Sequence, residues 1–173
     1  MAITKNSHVY MLMGGMTGTA VDLYLPGVNT GMYGLRDRLV AAGFSVTVYP
    51  WGQRQAAERD MAAFKASGGV VIVIGFSGGA SCVTWMGARI DLLIGYDPSP
   101  AGQVKKLGAN VAKAYCYHNL HPAMWWPGVG WLGGGQYIGQ QVTTFDVSEF
   151  HLAVQYDQAL HARTMAACRE LVA

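Results

Sequence analysis

The sequence predicts a three-layer α/β protein in which a mostly parallel sheet of about five or six strands lies between helices. Strand-like segments, rich in β-branched and aromatic residues, alternate with segments of helical character along the chain. Residues 70–74 are unbroken in their apolar character, which is typical of a parallel strand buried on both faces. The chain has 173 residues, 51% of them hydrophobic and 13% charged, and this composition suits one domain spanning residues 1–173.

Glycine and proline residues mark the ends of the predicted elements. Gly14 and Gly15 end the first strand, Gly43 ends the first helix and Pro50 ends the second strand. The predicted strands cover residues 8–13, 44–49, 70–74, 90–96, 111–117 and 141–145, and the predicted helices cover residues 29–42, 55–66, 80–89 and 151–172. Residues 104–107 form a short segment of ambiguous type.

A Gly-x-Ser-x-Gly pattern, formed by Gly75, Ser77 and Gly79, directly follows the strongest predicted strand and precedes a predicted helix. In this context the pattern is typical of a tight turn that lifts a serine hydroxyl out of the sheet. Glycine stands on both sides because side chains at those positions would collide. Such a serine is suited to act as a nucleophile in acyl transfer. A glycine-rich turn that only packs, or that binds phosphate, is the alternative interpretation.

The segment resembles the nucleophile turn of the α/β-hydrolase superfamily of esterases, lipases and thioesterases. The chain is similar to its small members with almost no cap, of cutinase-like or phage-lipase-like size. The resemblance implies a minimal α/β-hydrolase fold, without the two antiparallel strands that open larger members. It also implies that Ser77 is the nucleophile. Phe76 stands where many lipases have histidine, and we expect it at the core or at the edge of the site, among the substrate contacts.

A serine nucleophile needs a histidine base that a carboxylate orients. In the family the chain order is serine, acid, histidine, and this order implies His151 as the base, just after the last predicted strand. His121 is the main alternative. Asp97, at the end of the strand that follows the nucleophile strand, is the predicted acid, with a turn-capping role as the alternative. Asp146 is the fallback acid.

Two further residues bear on this assignment. Asn119 ends the next predicted strand, where larger relatives often carry the acid. Because an asparagine cannot serve as the acid, its presence there strengthens the case for Asp97. His161 lies inside the last predicted helix, where exposure to solvent is the default expectation.

The resemblance also implies two backbone donors for an oxyanion. One is the N–H of Gly78, which follows the nucleophile. The other is expected from the loop after the first strand, at Gly14, Gly15 or Met16. A plain strand-to-helix turn is the alternative interpretation of that loop.

Residues 121–140 are rich in tryptophan and glycine and are predicted to form a long loop that serves as a small lid. Trp125, Trp126 and Trp131 are its candidate substrate contacts, and they favour an apolar acyl group. The alternative is a loop whose tryptophans pack onto the core.

The sequence therefore predicts a serine hydrolase that cleaves a carboxylic ester or thioester of a fairly apolar, lipid-like acyl group through an acyl-enzyme. The alternatives are an amidase, a peptidase or a cell-wall lipid esterase with the same residues, or a non-catalytic binding protein that keeps the fold. No metal or cofactor is predicted, because the three cysteines are irregularly spaced and no ligand pattern is visible. They are expected to be buried free thiols in a reducing compartment.

The charge pattern argues against nucleic acid as a partner, because the net charge is +2 and no Lys/Arg run occurs. No apolar run approaches the length of a membrane span, and the apolar stretch near the N-terminus is too short for a signal peptide. The cytoplasm is therefore the expected location. The oligomeric state, including whether the chain forms a homo-oligomer, is left open by the sequence.

Overall fold

The computed structural model describes residues 6–15, 29–100, 103–122 and 133–173. Its main feature is a six-stranded sheet whose strands are β1 (Ser7–Met13), β2 (Ser45–Pro50), β3 (Val70–Phe76), β4 (Leu92–Tyr96), β6 (Ala114–Asn119) and β8 (Val142–Val147). Their spatial order is β2-β1-β3-β4-β6-β8, and every pair is parallel. A separate two-stranded parallel sheet pairs β5 (Val104–Lys106) with β7 (Gln136–Ile138).

Helices cover both faces of the main sheet. They are α1 (Thr30–Ala41), α2 (Arg54–Ala66), α3 (Gly78–Cys82) and α4 (Gln158–Val172). Alternate residues of β3 point to opposite faces: Ile72 and Ile74 belong to the hydrophobic cluster that contains the buried side chains of α1 and α4. Val71 and Val73 belong to the cluster that contains those of α2 and α3. The predicted three-layer α/β sandwich and its parallel sheet are confirmed.

Two predicted helices are shorter in the structure than in the sequence-based prediction. The predicted helix 80–89 is α3 followed by a 3₁₀ turn at Val83–Trp85. The predicted helix 151–172 begins only at Gln158, because the Asp157 side chain accepts hydrogen bonds from the backbone N–H groups of Ala159 and Leu160 and so caps the helix start. His151 therefore lies in a turn before α4, where its position is set by tertiary contacts.

The strand boundaries also differ in detail. Ile90, predicted as the start of a strand, makes only an isolated bridge to Val111, and β4 begins at Leu92. The ambiguous segment 104–107 contains β5, and the predicted loop 121–140 contains β7. None of the helices in the described part of the chain is long and apolar enough to cross a membrane.

Candidate active site

Two polar residues continue neighbouring strands at the carboxyl edge of the sheet. Ser77 follows β3 with φ 56°, and Asp97 follows β4 with φ 45°. The Ser77 N–H donates to the carbonyl of Tyr96 at 2.9 Å, and the Asp97 N–H donates to the carbonyl of Tyr117 at 2.9 Å. Because the left-handed region is uncommon for residues other than glycine, both backbones hold a strained turn at adjacent strand ends.

The glycines on either side of Ser77 are required by close packing. A Cβ atom on Gly75 would lie 2.5 Å from the Cα of Ala80, and one on Gly79 would overlap the carbonyl oxygen of Leu12. Both obstacles are backbone atoms, which cannot move aside as a flexible side chain can. The tight turn that presents Ser77 therefore depends on glycine at both positions.

Three side chains form a continuous chain of hydrogen-bond contacts at this edge. His151 Nε2 lies 3.0 Å from the Oγ of Ser77, and His151 Nδ1 lies 2.6 Å from Oδ2 of Asp97. His151 and Asp97 are buried, at 2% and 0% exposure. A carboxylate only accepts hydrogen bonds, so in the neutral imidazole this contact assigns the ring proton to Nδ1 and leaves Nε2 as the acceptor for the Ser77 hydroxyl.

The Asp97 carboxylate has further donors besides His151. The Nδ2 of Asn119 donates to Oδ2 at 2.9 Å, and the N–H of Gly134 donates to Oδ1. These bonds satisfy a carboxylate that is shielded from water. Sequence reasoning used Asn119 only to exclude it as the acid, whereas in the structure it is a hydrogen-bond partner of Asp97. Its position at the end of a strand next to that of Asp97 was the available signal.

The His151 ring packs on Phe76. The two rings are stacked with their centroids 5.0 Å apart and their planes inclined by 20°. Phe76 is buried, at 1% exposure, and belongs to the hydrophobic cluster on one face of the sheet. The stacked Phe76 ring thus helps to orient the His151 ring.

The alternative base and acid make other contacts in the structure. The carboxylate of Asp146, the fallback acid, is exposed and pairs with Nδ1 of His118 at 3.1 Å. The ring of His121 contacts Phe150, with centroids 5.8 Å apart. The contacts that define the site therefore involve His151 and Asp97.

The expectation that His161 is exposed was wrong. Its side chain is 2% exposed, because the face of α4 that carries it turns toward the sheet. Its Nε2 lies 2.7 Å from the carbonyl of Gln155, and burial lowers the pKa of the imidazole below 6.5.

The three cysteines are buried free thiols, as predicted.

The loop after β1 approaches Ser77 from the other side. A Cβ atom on Gly14 would lie 2.8 Å from the Cβ of Ser77. Two side chains that sequence reasoning missed hold this loop: Asn29 Nδ2 donates to the carbonyl of Gly14 at 3.1 Å, and Trp51 Nε1 donates to the carbonyl of Gly15 at 2.9 Å.

Several predicted contacts cannot be placed in this site. Met16, Trp125, Trp126 and Trp131 lie outside the described residues. Within the described ranges, His, Cys, Asp and Glu side chains form no group of three suited to a metal ion.

Comparisons with protein families and with curated proteins find no match to this chain. Solved structures do match. One is a structure described with LipS and LipT, two metagenome-derived lipolytic enzymes. Its TM-score is 0.61 and its sequence identity is 13%, and the match covers 98% of this chain and 96% of the other. A second is a protein of Xanthomonas campestris pv. campestris assigned to the alpha/beta superfamily of hydrolases, with a TM-score of 0.51 and 15% identity over 94% and 99% of the two chains. The chain therefore has the α/β-hydrolase fold.

Proposed function

We propose that this protein is a serine hydrolase that cleaves a carboxylic ester or thioester of a fairly apolar acyl group. The observation that carries the proposal is the chain of contacts from the buried Asp97 through the buried His151 to the Oγ of Ser77. Each member has the chemistry its role needs: a hydroxyl nucleophile, a neutral imidazole acceptor and a carboxylate that orients it. The similarity in fold to lipolytic enzymes agrees with the proposal.

The reaction proceeds through an acyl-enzyme. As the Ser77 Oγ attacks the acyl carbonyl carbon, its proton passes to His151 Nε2, and Asp97 stabilises the imidazolium that forms. The tetrahedral intermediate collapses when the bond to the leaving alcohol or thiol breaks, and His151 returns the proton to that group. Water then attacks the acyl-enzyme with His151 as the base, releasing the acid and restoring Ser77.

The negative charge that develops on the carbonyl oxygen requires hydrogen-bond donors close to Ser77. The N–H groups of Gly78 and Gly15 are the candidates, since Gly78 follows Ser77 directly and the loop of Gly14 packs against Ser77. Met16, the other sequence-based candidate, lies outside the described residues.

Exposed apolar side chains near His151 support the apolar acyl group. Phe150 and Leu152 flank His151 in the chain and are 37% and 39% exposed. Leu120, 46% exposed, is joined to the end of β8 by a 2.8 Å hydrogen bond from its N–H to the carbonyl of Val147. Exposed apolar side chains directly before and after His151 in the chain would give an acyl or leaving group apolar contact.

A fluorophosphonate probe tests the nucleophile. We expect the wild-type protein to be labelled on Ser77, and the Ser77→Ala variant to lose labelling and ester hydrolysis. Ser67→Ala is the matched control, because Ser67 is exposed at the end of α2 and its hydroxyl bonds only locally, to the carbonyl of Phe64. Folded wild-type protein that takes up no probe would refute the proposed chemistry and favour a binding protein with this fold.

A substrate series tests the acyl group. p-Nitrophenyl esters and thioesters of rising chain length should show kcat/KM increasing beyond the acetyl compound, because each buried methylene contributes about 0.8 kcal/mol. A preference for acetyl over longer chains would contradict the apolar site. Faster cleavage of amides than of esters would instead identify an amidase or peptidase.

A further inference from the structure

A second serine contacts the Oγ of Ser77. Ser99 lies two residues after Asp97, in the segment Pro98-Ser99-Pro100, and its Oγ is 2.8 Å from the Oγ of Ser77. Among the described residues, both His151 Nε2, at 3.0 Å, and Ser99 Oγ, at 2.8 Å, lie within hydrogen-bond distance of this oxygen. Ser99 has no role in the contacts that join Ser77, His151 and Asp97.

The structure holds Ser99 in this place from both sides. Its N–H donates to the carbonyl of Ser77 at 3.4 Å, and its own carbonyl accepts a hydrogen bond from the Oγ of Ser81 in α3. Prolines on either side restrict its backbone. Its hydroxyl is therefore carried by a constrained segment that is tied to the same turn as Ser77.

The direction of the bond between the two hydroxyls follows from counting protons. The Ser77 hydroxyl has one proton, and His151 Nε2 accepts it because the imidazole proton lies on Nδ1, toward Asp97. In that arrangement Ser77 has no proton left for Ser99. The Ser99 hydroxyl must then be the donor, and the Oγ of Ser77 the acceptor.

We infer that Ser99 is a further catalytic residue, whose hydroxyl donates a hydrogen bond to the Oγ of Ser77 and stabilises negative charge on that atom. The inference rests on the proposed hydrolase function. During acylation, charge develops on Oγ as its proton moves to His151. During deacylation, the bond between the acyl carbon and Oγ breaks, its electron pair returns to Oγ, and the proton comes from His151 Nε2. Ser99 keeps its own proton throughout.

This role predicts that removing the hydroxyl slows both half-reactions. A hydrogen bond to a charged group contributes enough that its loss is expected to lower both rate constants by about tenfold to a hundredfold. The effect should fall on kcat more than on KM, because the charge on Oγ exists in the transition states and not in the bound substrate.

The experiment uses three variants in the full chain. Ser99→Ala removes the hydroxyl, whereas Ser99→Thr and Ser99→Val are a matched pair of nearly equal shape that differ in the hydroxyl. Rapid mixing with a p-nitrophenyl ester, on the plateau of the pH–rate profile, separates the burst of acylation from the steady state of deacylation. Thermal unfolding of each variant shows whether it is folded.

We expect Ser99→Ala and Ser99→Val to slow both steps and Ser99→Thr to recover most of the loss. Rates equal to wild type in Ser99→Ala, or higher, would overturn the inference, and a higher rate would mean that Ser99 restrains the nucleophile. Equal losses in the Thr and Val variants would overturn it too, since only packing would then matter. Failure of the hydrolase proposal itself looks different, because the wild-type protein would then give neither a burst nor probe labelling.

Discussion

Gly133 lies where any side chain would push Asp97 and His151 apart. A Cβ atom built on Gly133 would overlap both Oδ2 of Asp97 and Nδ1 of His151, the two atoms joined by the 2.6 Å hydrogen bond, and would lie 2.6 Å from the Cγ of Asp97. Ordinary van der Waals contact with a Cβ begins at 3.4 Å. In Gly133→Ala the carboxylate, the imidazole or the loop must therefore move by about 1 Å.

The expected cost follows from that displacement. A misplacement of about 1 Å in a catalytic group costs on the order of 10²-fold in rate, and complete loss of the function of the acid costs about 10⁴-fold. We therefore expect kcat/KM of Gly133→Ala to fall by roughly 10²-fold to 10⁴-fold. Overpacking of this kind lowers the free energy of unfolding by about 1–3 kcal/mol, so the variant should still fold.

Ester hydrolysis and the rate of fluorophosphonate labelling measure this effect. Gly34→Ala is the matched control, because Gly34 is exposed inside α1 and a Cβ there would meet nothing within 4 Å. That control should keep full activity and gain up to about 1 kcal/mol of stability from the better helix propensity of alanine. A folded Gly133→Ala protein with wild-type kcat/KM would refute the dependence of activity on the contact between Asp97 and His151.

Trp51→Phe removes the indole N–H that donates to the carbonyl of Gly15 while keeping an aromatic ring, so kcat should fall by about tenfold, the value of one hydrogen bond. Trp85→Phe, in which the replaced ring is 64% exposed, is its control, and equal kcat values for the two variants would contradict the role of Trp51. Burial raises the pKa of all three thiols from 9.0 to about 12, so iodoacetamide at pH 8 should modify them only after unfolding. Because the unfolded chain loses these protons first, the free energy of unfolding should decrease as the pH rises from 9.0 toward about 12, and a flat profile by chemical denaturation would contradict the burial.

The strand and turn around Ser77 could be predicted because their causes lie close together in the sequence. The apolar run of β3 indicates burial on both faces, and the spacing of Gly75, Ser77 and Gly79 meets a steric requirement of one turn. The order of strands and helices along the chain predicted the parallel sheet in the same way. The start of α4 was harder to predict. The helix begins after Asp157, whose side chain caps it, and helical periodicity alone does not show that the residues before Asp157 lie outside the helix.

The partners of Ser77 depend on contacts across long sequence separations. His151 is 74 residues from Ser77 and 54 from Asp97, and no local rule predicts their approach; family resemblance supplied the candidates. Sequence reasoning found neither Ser99 nor Trp51, since a serine between prolines and a tryptophan after a strand have many ordinary roles. The burial of His161 was missed for a related reason, because the buried face of α4 is chosen by the sheet it packs on.

The sequence by itself thus determined most of the succession of elements and the tight turn at Ser77, because backbone sterics and hydrophobic burial act over a few neighbouring residues. Only the tertiary structure decided which atoms meet Ser77. The spatial order β1-β3-β4-β6-β8 brings the ends of distant segments to one edge of the sheet, where His151 and Ser99 come within hydrogen-bond reach of Ser77 and Asp97 comes within reach of His151. These contacts depend on strand pairing across the whole chain, so no single stretch of residues predicts them.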